Sequence, residues 1–551
     1  MFLYKSIILW LFAALLSSCG ADFEKHWPAL YKIRKARSFE QEKRLTVPNE
    51  YLLTVDGEAF GLEGLPDSST KIILAEGLSL PLESFSVVTG YFSGKKYRYI
   101  LRARVTDSDT LEGLSLDARV LHGEPNWLNK PDTVQDSFAT LSLTYQRAMQ
   151  DAYWLDQIRL GQAFSSMQDI LRPVTSRPIV AVMDSGVDVS HAALTGQVVD
   201  LSGYDTGCKD GQNGCNVTRS FGVHGFGDGS VYPYGTGGFD RRCFKRVSGH
   251  VCPHGTLVAG IIAANPQFGY GGICPDCLIL PIKVVEESGA DSGAILDSSI
   301  AAGISYLLHL KEKGVDVRVL NASFGKFRRS LTVTLLLNEL AKKGKGTLII
   351  AAAGNENTDK PQYPAALESV VSVANVDSIS GIKHQTSNYG SWVDISAPGS
   401  GLCGGISGSE GILSSVPGGG AACAPGTSFS APMVSGVAGL LLSREPSLTA
   451  GALKRRLLDT ASGAFYGQKE NAFYAGQLGS GIVDAYQAVS LKGEISPYSS
   501  SKTREIRNGC GVLSFPAAGQ YGFLWFLLPI VGLFVRPLFT TFFRFSKFSR
   551  L

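Results

Sequence analysis

From about residue 150 onward, short apolar runs alternate with segments of helical period. This alternation constrains the fold more than any other feature of the chain. The runs are Ile179–Met183, Ile279–Val285, Val315–Leu320, Leu348–Ala353 and Val370–Val376. Each is short and nearly continuous, as strands covered on both faces should be. Between them, Ile300, Ile304, Leu307 and Leu308 keep the spacing of one helix face, and Gly314 offers a C-terminal stop. Strand–helix alternation predicts an α/β fold, a mainly parallel sheet with helices on both faces.

The region before it reads differently. Residues 19–130 carry β-rich or alternating runs at Glu50–Val55, Lys71–Ala75, Phe85–Tyr91 and Tyr97–Val105, separated by Gly, Pro and Asp. They predict a small, separate α+β domain. The chain turns polar over Leu128–Ser137, which predicts a linker (131–149) ahead of the main domain at 150–490. With 551 residues there is room for both, each with its own core. A net charge of +3 and 18% charged residues give no reason to expect a nucleic-acid partner.

The two ends predict an envelope location. Lys5 precedes the apolar run Ile7–Leu16, which is too short to span a bilayer and has the form of a secretory signal over residues 1–18. Leu16-Ser17-Ser18-Cys19 also resembles a bacterial lipobox, which would make Cys19 the lipidated first residue. At the other end a linker (491–520) leads to the tail 521–551. There the apolar run Phe523–Val535 is followed by Arg536, Arg544, Lys547 and Arg550. This tail is similar to bacterial sorting tails. A plain membrane anchor and a buried helix are its rivals.

Ten cysteines fit an oxidising compartment. Eight of them cluster as Cys208/Cys215, Cys243/Cys252, Cys274/Cys277 and Cys403/Cys423, and pairing neighbours is the simplest arrangement. Sequence alone leaves other pairings open. For Cys274-Pro275-Asp276-Cys277 a redox pair or half a zinc site are further readings. The Gly- and Asp-rich insertion at 202–252 holds four of the eight, as a stapled loop would.

Four polar residues stand where such a sheet presents chemistry. Asp184 ends the run Ile179–Met183, at the carboxyl edge where ligands of open α/β sheets bind. His254 opens His254-Gly255-Thr256-Leu257-Val258-Ala259-Gly260, a helix start that would hold an imidazole rigidly. Asn355 follows the run Leu348–Ala353, where its amide can donate to a developing oxyanion. Ser428 lies in Gly426-Thr427-Ser428-Phe429-Ser430-Ala431-Pro432, at the positive end of an apolar helix running from Ala431 to about Arg444. Pro432 fits that helix's first turn.

With these motifs the chain resembles the subtilisin-like serine peptidases over about residues 150–490. The resemblance implies an Asp184/His254/Ser428 triad with Asn355 as oxyanion donor. It implies that Ser323, Phe324 and Gly325, within Asn321–Gly325, bind substrate main chain, and that Ala353 and Gly354 wall the same pocket. Tyr363-Pro364-Ala365, Ser396-Ala397-Pro398-Gly399 and Gly481-Ile482-Val483-Asp484-Ala485 also match. Val47–Leu53 and Val120–Asn126 are similar to the first and last strands of the family's inhibitory propeptide, with a cut expected near 127–152.

The implied activity is a serine endopeptidase acting on polypeptides. Its partners would be its own propeptide and a membrane, through lipid or tail. The alternatives are a processing enzyme for one dedicated partner, or an inactive binding module. No cofactor is implied. Ala193 stands where many members have a calcium-ligating aspartate, so calcium binding is left without an assigned site. Pro253, Leu257 and Met433 also depart from the family pattern, none at a triad position.

Overall fold

Alternate residues of the apolar runs enter different cores, as the two-residue period of a strand requires. Val180 and Val182 face one core, while Ile179, Ala181 and Met183 face the other. The computed structural model describes residues 46–63, 68–93, 96–131, 152–167, 177–201, 223–225, 231–233, 254–266, 271–285, 295–403 and 410–491. The signal segment with Cys19, Cys208, Cys215, Cys243, Cys252 and the tail lie outside them. So do the linker residues 132–149, all of the insertion except two short paired strands, and most of the linker at 491–520.

The central sheet has six strands in the order Ile395–Ser400, Val370–Asp377, Leu348–Ala352, Val317–Ala322, Ile179–Asp184 and Leu278–Lys283. Every neighbouring pair is parallel. One face is covered by the helices His254–Ala263 and Thr427–Arg444, the other by Asp297–Glu312 and Leu331–Lys342. Burying each Val, Ile or Leu of these layers contributes on the order of 1.5–3 kcal/mol. Among the described residues two disulfides brace this unit, Cys274–Cys277 and Cys403–Cys423. Cys274 and Cys277 are fully buried and bonded to each other, so neither offers a thiolate to zinc, and burial shields the bond from an attacking thiol.

Ahead of it stands an antiparallel sheet in the order Val120–Pro131, Thr46–Asp56, Lys96–Arg104 and Phe85–Ser93, with helices Ser68–Leu78 and Ser108–Leu116. Lys71–Ala75 is therefore helical, contrary to the strand expected from its two isoleucines. Thr70, Leu74, Ala75 and Leu78 are buried at helical spacing, whereas Ile72 and Ile73 are largely exposed. The position of the buried residues, not β-propensity, decides the element.

The polar stretch at 128–131 is not linker either. It completes the long strand Val120–Pro131, which leaves its own sheet and lies between two strands of the second unit. It pairs antiparallel with Ile295–Leu296 (Leu128↔Leu296, Asn129↔Ile295) and with Phe324–Gly325 (Lys130↔Gly325, Pro131↔Phe324). Asn129 finds its partners in Ile295 and Asp297, far away in sequence, which is why the composition here imitates a loop.

This strand also caps both helices on the adjoining face. The Asn126 Oδ1 accepts from the Ser298 N–H (3.1 Å). The Glu124 carboxylate accepts from the Ser330 hydroxyl (2.7 Å) and from the N–H groups of Leu331 (3.1 Å) and Thr332 (2.9 Å). Burial alone would raise the Glu124 carboxyl, but His122 and these donors hold it at about 2. A depressed carboxyl contributes stability above its usual range and loses it only as pH falls toward that value, so this contact survives mild acid. Leu52, Val88 and Ile100 of the antiparallel sheet join the core beneath helix Asp297–Glu312.

Candidate active site

Three strand ends and two helix starts meet at the carboxyl edge of the parallel sheet. Asp184 closes its strand and is buried, as are His254 and Ser428. The Asp184 carboxylate receives the His254 ring nitrogen Nδ1, at 2.8 Å to Oδ1 and 3.0 Å to Oδ2. A carboxylate only accepts, so Nδ1 carries the proton and Nε2 is the basic nitrogen of the neutral ring. Asp184 Oδ1 also accepts from the Ser185 N–H at 2.7 Å, which fixes the carboxylate from a second side. The backbone leaves no room for a substituent next to the histidine. A Cβ on Gly255 would lie 2.1 Å from the Gly186 carbonyl oxygen and 3.2 Å from Asp184 Cβ.

Ser428 enters from the helix Thr427–Arg444, which starts before the Ala431 expected from sequence. Gly426 precedes it at φ 134°, a conformation that only glycine adopts readily. Pro432 accordingly sits inside the helix rather than in its first turn. Lacking an N–H, it cannot bond the Ser428 carbonyl one turn back. That carbonyl instead accepts the Ser323 hydroxyl at 2.9 Å. In return the Ser428 hydroxyl points to the Ser323 carbonyl at 3.4 Å, the long edge of hydrogen bonding. Phe429 lays its ring 5.6 Å from the His254 ring, so the helix start and the imidazole are in contact.

Asn355 faces the same point. Its Oδ1 accepts from the Thr427 N–H (3.0 Å) and hydroxyl (3.2 Å). A backbone N–H cannot accept, which settles the amide's orientation and turns Nδ2 toward Gly426. An imidazole oriented by a carboxylate, a hydroxyl at a helix start and an inward-facing amide form a set able to carry out acyl transfer.

The subtilase family model matches residues 175–481, more than half of the chain. The chain belongs to the subtilase family. It is 34% identical over 210 residues to the thermostable alkaline protease of Halalkalibacterium halodurans, covering 38% of this chain and 52% of that protein. It is 31% identical over 267 residues to thermitase of Thermoactinomyces vulgaris, covering 48% and 75%. The chain spans about half the length of several relatives that it matches. In fold it is similar to fervidolysin from Fervidobacterium pennivorans, with a TM-score of 0.57 and 20% identity, over 84% of this chain and 63% of that one.

In this subtilase the segments Ser323–Gly325 and Ala353–Gly354 lie beside the Ser428 helix start: the Ser323 hydroxyl bonds the Ser428 carbonyl, and the Gly354 N–H donates to the Thr427 hydroxyl at 3.1 Å. Two residues not singled out from sequence bind them together. Gln362 is buried with its amide against Gly354, where a Cβ would meet it at 1.7 Å. Asn388 is fully buried and brackets Asn355. Its Nδ2 donates to the Ala353 carbonyl (2.9 Å), and its Oδ1 accepts from the N–H groups of Glu356 (3.0 Å) and Thr358 (3.1 Å). Its own N–H donates to the Gly354 carbonyl at 2.8 Å. Nothing in Ser387-Asn388-Tyr389-Gly390 distinguishes this amide from one in an ordinary turn.

Proposed function

We propose that this subtilase is a serine endopeptidase made as a precursor and held inactive by its N-terminal unit. The observation carrying the reading is the Asp184–His254 contact set beside the Ser428 helix start and Asn355. Ser428 attacks the peptide carbonyl, and His254 takes its proton and returns it to the leaving amine. Asp184 orients the ring and stabilises its charged form. Asn355 and the Ser428 N–H hold the oxyanion. Substrates add as an antiparallel strand to Phe324–Gly325, the place filled here by Lys130 and Pro131. That occupancy supports an inhibitory propeptide, cut after Pro131 and before the main domain. Export is supported by the signal-like first eighteen residues and by two disulfides. The lipid at Cys19 and the role of the tail belong to the same proposal.

A fluorophosphonate probe tests the reading. Processed protein is expected to be labelled on Ser428, mapped by mass spectrometry of its peptides, with parallel loss of casein hydrolysis. Full hydrolysis by quantitatively labelled protein would overturn it.

The oxyanion assignment is tested separately. Loss of the equivalent donor in subtilisin lowers turnover by about 10²–10³, and we expect the same of Asn355→Ala. Asn388→Ala, which frees the segment around Asn355, is expected to lower kcat by up to about 10²-fold. In the Asn355→Ala background it should add little. Fully additive losses in that double-mutant cycle would show that Asn388 does not act through Asn355.

A further inference from the structure

The strand Val120–Pro131 brings a ligand-like side chain into a recess beside the substrate strand. Asn129 is buried, and its Nδ2 donates to Asp297 Oδ1 at 2.9 Å and to the Ile295 carbonyl at 3.1 Å. Asp297 is itself almost completely buried and ion-paired with Lys326. Ile300, Val333, Thr334 and Tyr363 line the rest of the recess. Asn129 is two residues from Pro131, which pairs with Phe324 next to Ser323, so the recess lies on the path of any strand added to Phe324–Gly325.

We propose that Asp297 and Lys326 form a recognition site for a substrate side-chain amide, that of Asn or Gln, at the position Asn129 occupies here. The inference rests on the endopeptidase reading and deepens it to a substrate class.

The selection follows from the two charges. Asp297 asks for an N–H donor, which an amide supplies and a carboxylate does not. Lys326 repels a cationic side chain that would otherwise donate to Asp297. A leucine would exclude water from the buried pair and return no hydrogen bond, leaving a charged acceptor one partner short. Burial pushes the Asp297 carboxyl up and the Lys326 amine down, while their mutual attraction opposes both shifts. The pair is thus desolvated enough to be sensitive to what is placed against it.

The test uses processed enzyme from the full-length chain and decapeptides with the sequence of residues 125–134, varied at position 129. Asn and Gln peptides are expected to be hydrolysed with kcat/KM at least about tenfold above Leu, Asp and Lys peptides. In an Asp297→Leu/Lys326→Met enzyme the Asn-to-Leu ratio should invert. The wild-type series decides the matter even if that variant does not fold. Equal hydrolysis of Asn and Leu peptides, or a preference for Leu, overturns the amide site while Ser428-dependent hydrolysis persists. If Ser428→Ala leaves hydrolysis unchanged, the endopeptidase reading itself fails and the amide site fails with it.

Discussion

Ser428→Ala is expected to lower turnover of a peptide substrate by about 10⁶-fold, the loss that follows removal of the corresponding serine in subtilisin. The variant should also accumulate as an uncut precursor with residues 46–131 still attached. The two outcomes share one cause. The strand Val120–Pro131 is already paired with Phe324–Gly325, so a precursor that cuts itself would use the same hydroxyl that it uses on a substrate. The helix should still form without that hydroxyl. Its contact at 3.4 Å is weak, while the Ser428 carbonyl keeps its 2.9 Å bond from Ser323. Turnover measured with purified variant, and intact mass from the same preparation, check both parts. Turnover within tenfold of wild type would remove Ser428 from the mechanism. A normally cut protein with no activity would instead assign the cut to another protease.

Asp184→Asn should lower kcat by about 10⁴-fold while leaving KM nearly unchanged. The substitution keeps size and nearly keeps shape, so the buried site is not emptied. What changes is the proton on His254. The carboxylate accepts from Nδ1 through both oxygens, at 2.8 and 3.0 Å, and thereby keeps Nε2 basic. An asparagine can offer an N–H in place of one acceptor, which favours the opposite tautomer and turns the ring's basic nitrogen away from the serine. Nitrogen NMR of the His254 ring should report that exchange directly, alongside the kinetics. A loss below tenfold, or an unchanged tautomer, would mean that Asp184 supports the fold but not the base.

Much of this was readable from the chain. The parallel strands announce themselves as apolar runs, and Asp184 and Asn355 by standing after such runs, which are local. What could not be read depends on distant partners. Asn129 looks like a loop residue until Asp297 and Ile295 are placed beside it, some 170 residues later. Asn388 looks like a turn residue until it is seen to hold both sides of Asn355. Lys71–Ala75 failed for another reason. Its isoleucines favour a strand, yet they face outward, and Leu74 and Leu78 decide the element from beneath. The start of the Ser428 helix is not legible because Pro432 resembles a first-turn residue and is in fact an interior one.

That interior proline has a wider meaning. It leaves a gap in the helix ladder, and the gap is filled by Ser323, the residue just before the strand Phe324–Gly325. The Ser428 main chain is therefore anchored to the edge that pairs with Lys130 and Pro131, and not only to its own helix. Residues 323, 428 and 432 meet at one carbonyl, so a change at Ser323 or Pro432 alters how the Ser428 main chain is held. Substitutions there should be interpreted jointly, because their effects on grip and on attack have a common origin.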